Sequence, residues 1–455
     1  MTDAAPAAPE RPRGIPFAAG WATALRHGLL ALAVVTALGE VAALCVKLVG
    51  RTGLSLGTIL RLGWLYVGLF HGVPLRLRGI GMQIDVLDAG SVESLELRFG
   101  VALLLVTWLA VWLLWRGGRA VAGACGGGAL ARALHGTKVA PVYALPVFAL
   151  SLLVEIRSPF PFPRVISGEL ELSSAPLPAL LLPVAIAAAA GACGGIASAL
   201  AADSASPRAR WVSAAASGGW RMLLVGLGLA YVGLFLAGIV RPEGPEGLLT
   251  PSTGRYVRAV FDRPDVGLVA LAHHVAVAPN EAMWALVPSM GGCTGAYPGD
   301  CDPVRFLCYR RFPNEIALPS LPVVGAPPGQ PARSVFGTAP WPYFLFLLAP
   351  ALASVLGGMR AAERAAPSSA RGAIALGVGS GAAFAALVVA VGWLASVRAE
   401  VDWVTGGVPE ASGGVRVGPG LVGGALLALA WGALGGALGA VWRARGTGST
   451  ATSRT

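Results

Sequence analysis

The residues best suited to chemistry lie close together in one stretch of the chain. His273, His274, Asn280 and Glu281 bring two imidazoles, an amide and a carboxylate into a short span. Such groups could bind a metal ion or relay protons. Adjacent histidines on a helix point about 100° apart, and Pro279 breaks the geometry that would bring Glu281 back to them. We therefore favour a helix break at Pro279 whose freed backbone groups bond to Asn280, over a polar transport or partner-binding site, and rank a metal site last.

Ionisable residues also interrupt apolar sequence nearer the N-terminus. Glu40 lies inside the first long apolar run, and Lys47 follows on the same helical face. A proton-coupled carboxylate is one interpretation, but we favour a buried structural ion pair near one membrane interface, with Lys47 and Arg61 as the nearby cations. His71 opens a His-Gly-Val-Pro turn and is interpreted as a polar cap at a helix end rather than as a ligand.

Three of the six cysteines, Cys293, Cys301 and Cys308, lie in one Pro- and Gly-rich stretch. Their spacing does not match a zinc signature. An oxidising compartment would allow one disulfide among them and leave one thiol over, and the sequence leaves the pairing open. No metal site and no cofactor are predicted.

The last apolar run has small residues at helical spacing. Gly432 and Gly436, and likewise Gly435 and Gly439, are four residues apart and lie on one helical face. Faces of this kind let helix backbones approach closely. We expect packing within the chain more than dimerisation.

The composition indicates that membrane-spanning helices carry these residues. Only 13% of residues are charged, 55% are hydrophobic, and the mean hydropathy is +0.69. A soluble chain of this size would need far more charge, whereas a lipid-facing helix needs about 20 apolar residues and no charge. The predicted fold is an all-α polytopic membrane bundle of eight to nine transmembrane helices. The eight runs long enough to span are 27–48, 99–115, 139–155, 176–201, 219–240, 341–359, 372–396 and 419–441.

The charge of the loops predicts their side of the membrane. Loops 116–138, 202–218 and 360–371 are rich in Arg and poor in acids, whereas loops 76–98 and 397–417 are acid-rich. Basic loops stay in the cytoplasm, so both termini are expected on the cytoplasmic side. The protein itself is expected in the plasma membrane of a bacterium. The net charge of +11 is explained by these flanking residues and does not indicate nucleic-acid binding.

Two apolar segments do not fit simple spans. Segment 54–75 has too few apolar residues to cross, and segment 265–289 carries polar residues at its centre. Both are predicted to be broken or re-entrant, although a competing interpretation makes 54–75 a full span and moves the N-terminus outside. Residues 62–70 and 227–235 match at seven of nine positions, which suggests a duplication.

The predicted organisation has five parts along the chain. A polar cytoplasmic leader, without the pattern of a cleavable signal peptide, precedes the first part of the bundle. An ordered extracytoplasmic cap separates this part from the last three helices, and a disordered cytoplasmic tail ends the chain. The corresponding residues are 1–20, 21–289, 290–340, 341–445 and 446–455.

Two stretches resemble PerM-like membrane proteins of actinobacteria. They are Leu62–Leu65 leading into His71–Leu75, and Ala278–Asn280 followed by Trp284–Leu286 and a Gly-rich continuation. The Pro-rich run Ala317–Pro322 before a span also resembles that family, and the order agrees over residues 50–360. The resemblance implies a multispanning inner-membrane protein linked to cell division and envelope maintenance, which acts through protein partners and has no catalytic residues.

No motif in the sequence names a reaction, because a P-loop and a nucleophile elbow are both missing. We therefore expect a non-enzymatic envelope or division-associated protein that contacts the lipid bilayer and other membrane proteins. The alternative is a secondary transporter or permease subunit with a polar midplane site around residues 273–281, and a membrane enzyme ranks last. The sequence leaves substrate, partner and oligomeric state open.

Overall fold

The computed structural model contains eleven helices and ten strands within the residues that it describes. The described residues are 18–50, 54–84, 92–159, 166–203, 206–240, 264–298, 304–308, 311–313, 336–338, 345–405 and 408–449. The helices are α1 Trp21–Gly50, α2 Leu56–Phe70, α3 Leu104–Cys125, α4 Ala129–Gly136, α5 Val139–Leu153, α6 Pro176–Ala202, α7 Pro207–Val240, α8 Pro264–Ser289, α9 Leu348–Ala365, α10 Ala370–Ala395 and α11 Leu421–Ser449.

Eight helical units in the described residues are long and apolar enough to cross a membrane. They are α1, α3, α4 joined to α5, α6, α7, α9, α10 and α11, and they coincide with the eight apolar runs of the sequence. The predicted polytopic helical bundle is therefore confirmed, and the chain is a multi-pass integral membrane protein. Helix α2 is a shorter apolar helix, about 22 Å long.

The connections at one end of the bundle form a ten-stranded sheet, which the sequence analysis treated as loops and a cap. The strands are β1 Leu75–Ile84, β2 Val92–Gly100, β3 Ile156–Pro159, β4 Ile166–Ser174, β5 Cys293–Pro298, β6 Val304–Cys308, β7 Arg311–Pro313, β8 Phe336–Thr338, β9 Val397–Thr405 and β10 Val408–Pro419. Their order is β3-β4-β1-β2-β9-β10-β5-β6-β7-β8, and the paired strands described are antiparallel.

The sheet and the basic turns lie at opposite ends of the bundle. Strands adjoin helices directly at the sheet end, where β3 follows α5, β4 precedes α6, β9 follows α10 and β10 precedes α11. The other end holds the Arg-rich turns that follow α3, α6 and α9. The described chain also begins and ends there, since Gly20 packs against Val121 near the end of α3 and Arg443 of α11 pairs with Glu363 near the end of α9.

The fold contains two repeats with the same topology. The first repeat, α1–α6 with β1–β4, contributes the strand order β3-β4-β1-β2, and the second repeat, α7–α11 with β5–β10, contributes β9-β10-β5-β6. In each repeat the first strand follows a helix that does not belong to the eight spans, α2 or α8. Strands β2 and β9 pair across the junction between the repeats.

The two repeats agree residue by residue in strand register and in the bonds between elements. In the sheet, the pair Leu75–Ser174 of the first repeat corresponds to Thr294–Pro419 of the second, and Ile156–Leu172 corresponds to Val397–Val417. The hydrogen bond from Ala175 N to Pro74 O in the first repeat corresponds to the bond from Gly420 N to Cys293 O in the second, and both are 2.9 Å long. Independent segments would not share these registers by chance, because a slip of one residue moves every side chain to the other face.

Helix crossings are duplicated in the same way. Gly118 of α3 packs directly against Gly191 of α6, and Gly358 of α9 packs directly against Gly436 of α11. A Cβ atom at Gly118 or Gly358 would collide with the backbone of the facing helix. Both crossings are therefore close backbone contacts of the kind that small residues allow.

The sequence similarity between residues 62–70 and 227–235 is not the structural repeat. It matches part of α2 with part of α7, whereas the counterpart of α2 is α8, because both precede the equivalent strands β1 and β5. Short apolar helical sequences resemble one another because few residue types are used in them, so the strand register is the better guide to the duplication.

Candidate functional site

Helices α2 and α8 end in the same backbone turn. Val73 N donates to Gly68 O over 3.1 Å, and Gly292 N donates to Val287 O over 3.0 Å. Gly72 follows the α2 terminus at φ 74°, a left-handed conformation that glycine adopts without a Cβ clash. This is the Schellman arrangement, which satisfies carbonyl groups that a helix end leaves unpaired.

Both turns lie inside the bundle and return directly to the sheet. The carbonyl of Met290, at the end of α8, accepts a 3.0 Å bond from Trp431 Nε1, ten residues into α11. His71, at the end of α2, reaches Tyr143, which lies well within α5. The chain reaches α2 from the sheet end, where α1 stops, and enters β1 four residues after His71.

His71 is the C-cap residue of α2 and is fully buried. Its Nδ1 lies 2.7 Å from Val67 O, and its Nε2 lies 2.6 Å from the Tyr143 hydroxyl. Because a carbonyl only accepts, Nδ1 carries the proton and donates to Val67, so Nε2 accepts from the Tyr143 hydroxyl. Both ring nitrogens thus bond to protein groups.

Asn280 joins the two repeats. The side chain is buried, its Oδ1 accepts a 3.0 Å bond from Leu104 N, and its Nδ2 donates to Ala102 O over 2.7 Å. Helix α3 has no side-chain cap of its own at Leu103, and the first N–H groups of a helix need partners. Asn280 therefore caps a helix of the other repeat, and the expectation that it serves a break in its own helix is wrong.

The other polar residues of α8 are His273, His274 and Glu281. In the described part of the chain, no contact joins them to Asn280 in one cluster. Helix α8 runs continuously through Pro279, and Glu281 interacts with Tyr231 of α7. His273 and His274 lie in the first half of α8, and their side chains are outside the described part of the structure. Asn280 meanwhile binds the start of α3.

Glu40 packs against α2 and not against a cation. Its carboxylate lies at Gly63, where a Cβ atom would collide with it. Among the described residues Glu40 makes no ion pair, and Arg61 instead donates to Glu155 O over 3.3 Å. The predicted ion pair of Glu40 with Lys47 or Arg61 is therefore wrong, because Arg61 turns toward the end of α5.

The cysteine stretch contains a disulfide at Cys293. Cys308 lies directly opposite Cys293 in the register of β5 and β6, whereas Cys301 is outside the described residues. Cys45, Cys125 and Cys193 are free thiols.

The four glycines singled out in α11 all lie at helix crossings within the chain. Gly432 faces Gly381, Gly436 faces Gly377, and both partners belong to α10. Gly435 and Gly439 face α9, at Ser354 and at Val355 respectively. Each glycine is thus needed for close packing inside one molecule.

A charged face of the sheet was missed by the sequence interpretation. One row of five strands alternates in sign over its first four members, Arg157, Glu171, Arg78 and Glu96, and ends at a second acid, Asp402. Arg98 lies within reach of both acids, 2.6 Å from Glu96 and 3.6 Å from Asp402. Opposite charges directly across a strand pair stabilise a sheet. The signal was present in the strict alternation of Leu75-Arg76-Leu77-Arg78 and Leu95-Glu96-Leu97-Arg98, which is the period of a strand.

Glu96 is the centre of this face. Its carboxylate accepts two 2.8 Å bonds from Arg76 and a 2.6 Å bond from Arg98. Bonding to Arg76, partly opposed by desolvation, and then to Arg98 lowers the pKa of Glu96 from 4.5 to about 2. Charged hydrogen bonds of this kind are stronger than neutral ones.

We expect Glu96 to make the stability of the sheet dependent on acid. A carboxylate whose pKa is lowered by folding stabilises the fold above its unfolded pKa, and this contribution is lost as the pH falls through the folded value. The thermal midpoint of the wild type should therefore fall between about pH 4.5 and pH 2. Glu96→Gln should melt lower at neutral pH and lose that part of the pH dependence. Equal slopes for both proteins in this window would contradict the assignment.

The opposite face of the sheet is apolar and half-exposed. Phe99 of β2 is 40% exposed and Val401 of β9 is 36% exposed. Around them lie half-buried apolar side chains of six strands: Ile156, Leu172, Leu75, Leu77, Leu97, Ala399, Val415 and Val417. We call these ten residues the apolar sheet face.

Comparisons of the chain with family models, with curated proteins and with solved structures found no match. The resemblance to PerM-like proteins therefore stays a prediction.

Proposed function

We propose that this chain is a non-enzymatic membrane protein of the bacterial envelope that acts in cell division or envelope maintenance by binding protein partners. The observation that carries the proposal is the apolar sheet face, which remains half-exposed across six strands. Contiguous exposed apolar surface on a folded protein is typical of an interaction site. The PerM-like resemblance of the sequence gives the same class of function.

The sheet is fixed to the helices firmly enough to present this face in one orientation. At most two residues separate β3, β4, β9 and β10 from the helices next to them. Arg398 donates to Trp393 O over 2.9 Å, and Arg416 donates to Ser396 Oγ over 3.0 Å, so both side chains bind the end of α10. A rigid surface loses little conformational entropy when a partner binds.

The charge distribution supports an extracytoplasmic sheet. The end opposite the sheet carries the Arg-rich turns, and basic loops are retained in the cytoplasm. We therefore place the sheet outside the plasma membrane and both termini inside the cell. In this arrangement α2 and α8 are re-entrant from the outer side.

The test is complementation of a deletion strain of the source organism, with cell length and sensitivity to envelope stress as measurements. Phe99→Glu with Val401→Glu should reach the membrane in normal amount and fail to restore either property, because charge on the apolar sheet face opposes apolar docking. The matched control, Phe99→Leu with Val401→Ile, should restore both. Full rescue by the Glu variant would overturn the proposal.

A secondary transporter is the second candidate, favoured by one observation. Helices α2 and α8 both turn back inside a duplicated bundle, and repeated halves with broken helices near the midplane are typical of transporters. Glu281→Gln separates the two candidates, since a transporter should lose function while a partner-binding protein should be complemented normally. A folded Glu281→Gln protein that fails to rescue, beside sheet variants that do rescue, would replace the first proposal with the second.

A further inference from the structure

Three basic side chains and one indole ring share a surface where α1 and α3 pack together. They are Arg26 and His27 of α1 and Trp112 and Arg116 of α3, and we call them the α1–α3 basic cluster. His27 lies on Gly117, where a Cβ atom would be 2.7 Å from His27 Cβ. The Arg116 guanidinium lies over the Trp112 ring at 4.9 Å from its centroid. Arg26 precedes His27 and Arg116 precedes Gly117 in the chain, so both arginines belong to this helix crossing.

The protein supplies no counter-charge to this cluster within the described residues. Neither Arg26 nor Arg116 forms an ion pair or a hydrogen bond with a carboxylate there. Both side chains are exposed on the outside of the bundle, and Trp112 is 48% exposed. Because α1 and α3 are membrane-spanning helices, side chains on their outer surface face lipid, and an anionic lipid attracts basic side chains near the membrane surface.

The position of the cluster along α1 corresponds to the membrane–water interface. Residues 28–46, apolar except for Thr36 and Glu40, separate His27 from Lys47, a distance of about 28 Å along a helix. That distance matches the hydrocarbon core of a bilayer, about 30 Å. His27 and Lys47 therefore lie at opposite interfaces, and the cluster is at the level of the phospholipid headgroups, where Trp is also enriched.

The second repeat shows that the fold does not need this cluster. Gly357 packs on Met222 as Gly117 packs on His27, so α7 and α9 form the same crossing as α1 and α3. The residues equivalent to Trp112 and Arg116 are Leu352 and Leu356, both exposed and apolar. Of the three basic residues only Arg26 has a basic counterpart in the second repeat, Arg221 of α7. The charge in the first repeat thus serves something other than the packing of the two helices.

We propose that the α1–α3 basic cluster binds the phosphate of an anionic phospholipid. Arginine donates several hydrogen bonds to phosphate oxygens, and Arg26 and Arg116 approach one headgroup from two helices. A zwitterionic headgroup carries its own cation, which these arginines repel, so a headgroup with net negative charge is preferred. The ligand is a membrane lipid and not a free anion, because the side chains project from the lipid-facing surface.

The test measures lipid binding to the purified full-length protein in a neutral detergent. Phosphatidylglycerol and phosphatidylcholine with the same acyl chains are titrated separately, and inorganic phosphate is titrated as a third ligand, with the thermal midpoint as the readout. Phosphatidylglycerol should raise the midpoint of the wild type at micromolar concentrations, phosphatidylcholine should raise it less, and inorganic phosphate should leave it unchanged.

Variants assign the preference to the cluster. Arg26→Gln with Arg116→Gln should weaken phosphatidylglycerol binding by about 30-fold, from the usual gain per basic residue at an anionic surface, and abolish the preference over phosphatidylcholine. Arg221→Gln, the matched control at the equivalent position of the second repeat, should keep the preference. Arg26→Lys with Arg116→Lys retains the charge and should keep most of it.

Three outcomes would overturn the proposal. Equal stabilisation of the wild type by both lipids would remove the preference for an anionic headgroup. An undiminished preference in the double Gln variant would place the lipid elsewhere on the protein. Stabilisation by inorganic phosphate equal to that by phosphatidylglycerol would identify a site for a soluble anion instead of a lipid.

Discussion

Gly358→Val is expected to prevent the second repeat from packing. The new Cβ atom would collide with the O, C and Cα atoms of Gly436, all of them backbone. Backbone cannot rotate away as a side chain can, so α9 and α11 would have to separate along their crossing. We expect the free energy of unfolding to fall by about 3 kcal/mol or more. Fluorescence-detected size-exclusion chromatography should show loss of the monodisperse peak.

The chain provides a matched control for this prediction. Gly228 lies within α7, and a Cβ atom there would have no neighbour within 4 Å. Gly228→Val therefore changes the same residue type in a membrane-spanning helix without a collision, and it should elute and melt close to the wild type. Gly118→Val, at the equivalent crossing of the first repeat, should behave like Gly358→Val. The account would be wrong if Gly358→Val and Gly228→Val were equally stable.

His71→Ala is expected to destabilise the first repeat strongly. The side chain is fully buried, so its removal leaves a cavity and also leaves the Tyr143 hydroxyl without its partner. Together these effects should lower the free energy of unfolding by about 3–4 kcal/mol. Tyr143→Phe should cost less, about 1–2 kcal/mol, because only the His71 Nε2 acceptor loses a partner. Thermal unfolding in detergent measures both variants.

The second repeat suggests how the hydrogen-bonded pair of His71 and Tyr143 can be replaced with a smaller loss of unfolding free energy than His71→Ala causes. Met290 and Phe384 have the positions of His71 and Tyr143 there, and both are buried. His71→Met with Tyr143→Phe replaces both partners at once and leaves no buried polar group unpaired, so it should be more stable than His71→Ala. A double variant as unstable as the sum of the single variants would contradict this equivalence. Complementation by a stable double variant would then show whether the pair is needed for function.

The alternation of charged and apolar residues marked the sheet in advance, but its interpretation required knowledge of the partner strands. Leu75-Arg76-Leu77-Arg78 has the period of a strand, yet it was assigned to an acid-rich loop. The strands that flank it are β2 and β4, and β4 is about 95 residues further along the chain. A period indicates which side chains share a face, whereas the pairing of distant strands decides whether that face exists.

Asn280 and Glu40 illustrate what local sequence leaves undetermined. Asn280 follows a proline, and that context suggested a local role. Its partners are Ala102 and Leu104 of the other repeat. Glu40 was expected to pair with a nearby cation, yet Arg61 bonds to Glu155 O instead. Polar side chains in a membrane need partners, and which partner is near depends on helix packing that the sequence does not encode locally.

The amino-acid sequence alone identified the eight segments that are long and apolar enough to cross a membrane, because hydrocarbon thickness and the cost of burying charge act on every helix separately. It also marked four glycines of α11 at which helices approach, since close packing in lipid requires small side chains. The folded structure was needed to show that the connections form one sheet, that the fold is duplicated, and that Arg26 and Arg116 have no carboxylate partner among the described residues. These properties depend on contacts between residues far apart in the chain, which form only when both repeats are folded.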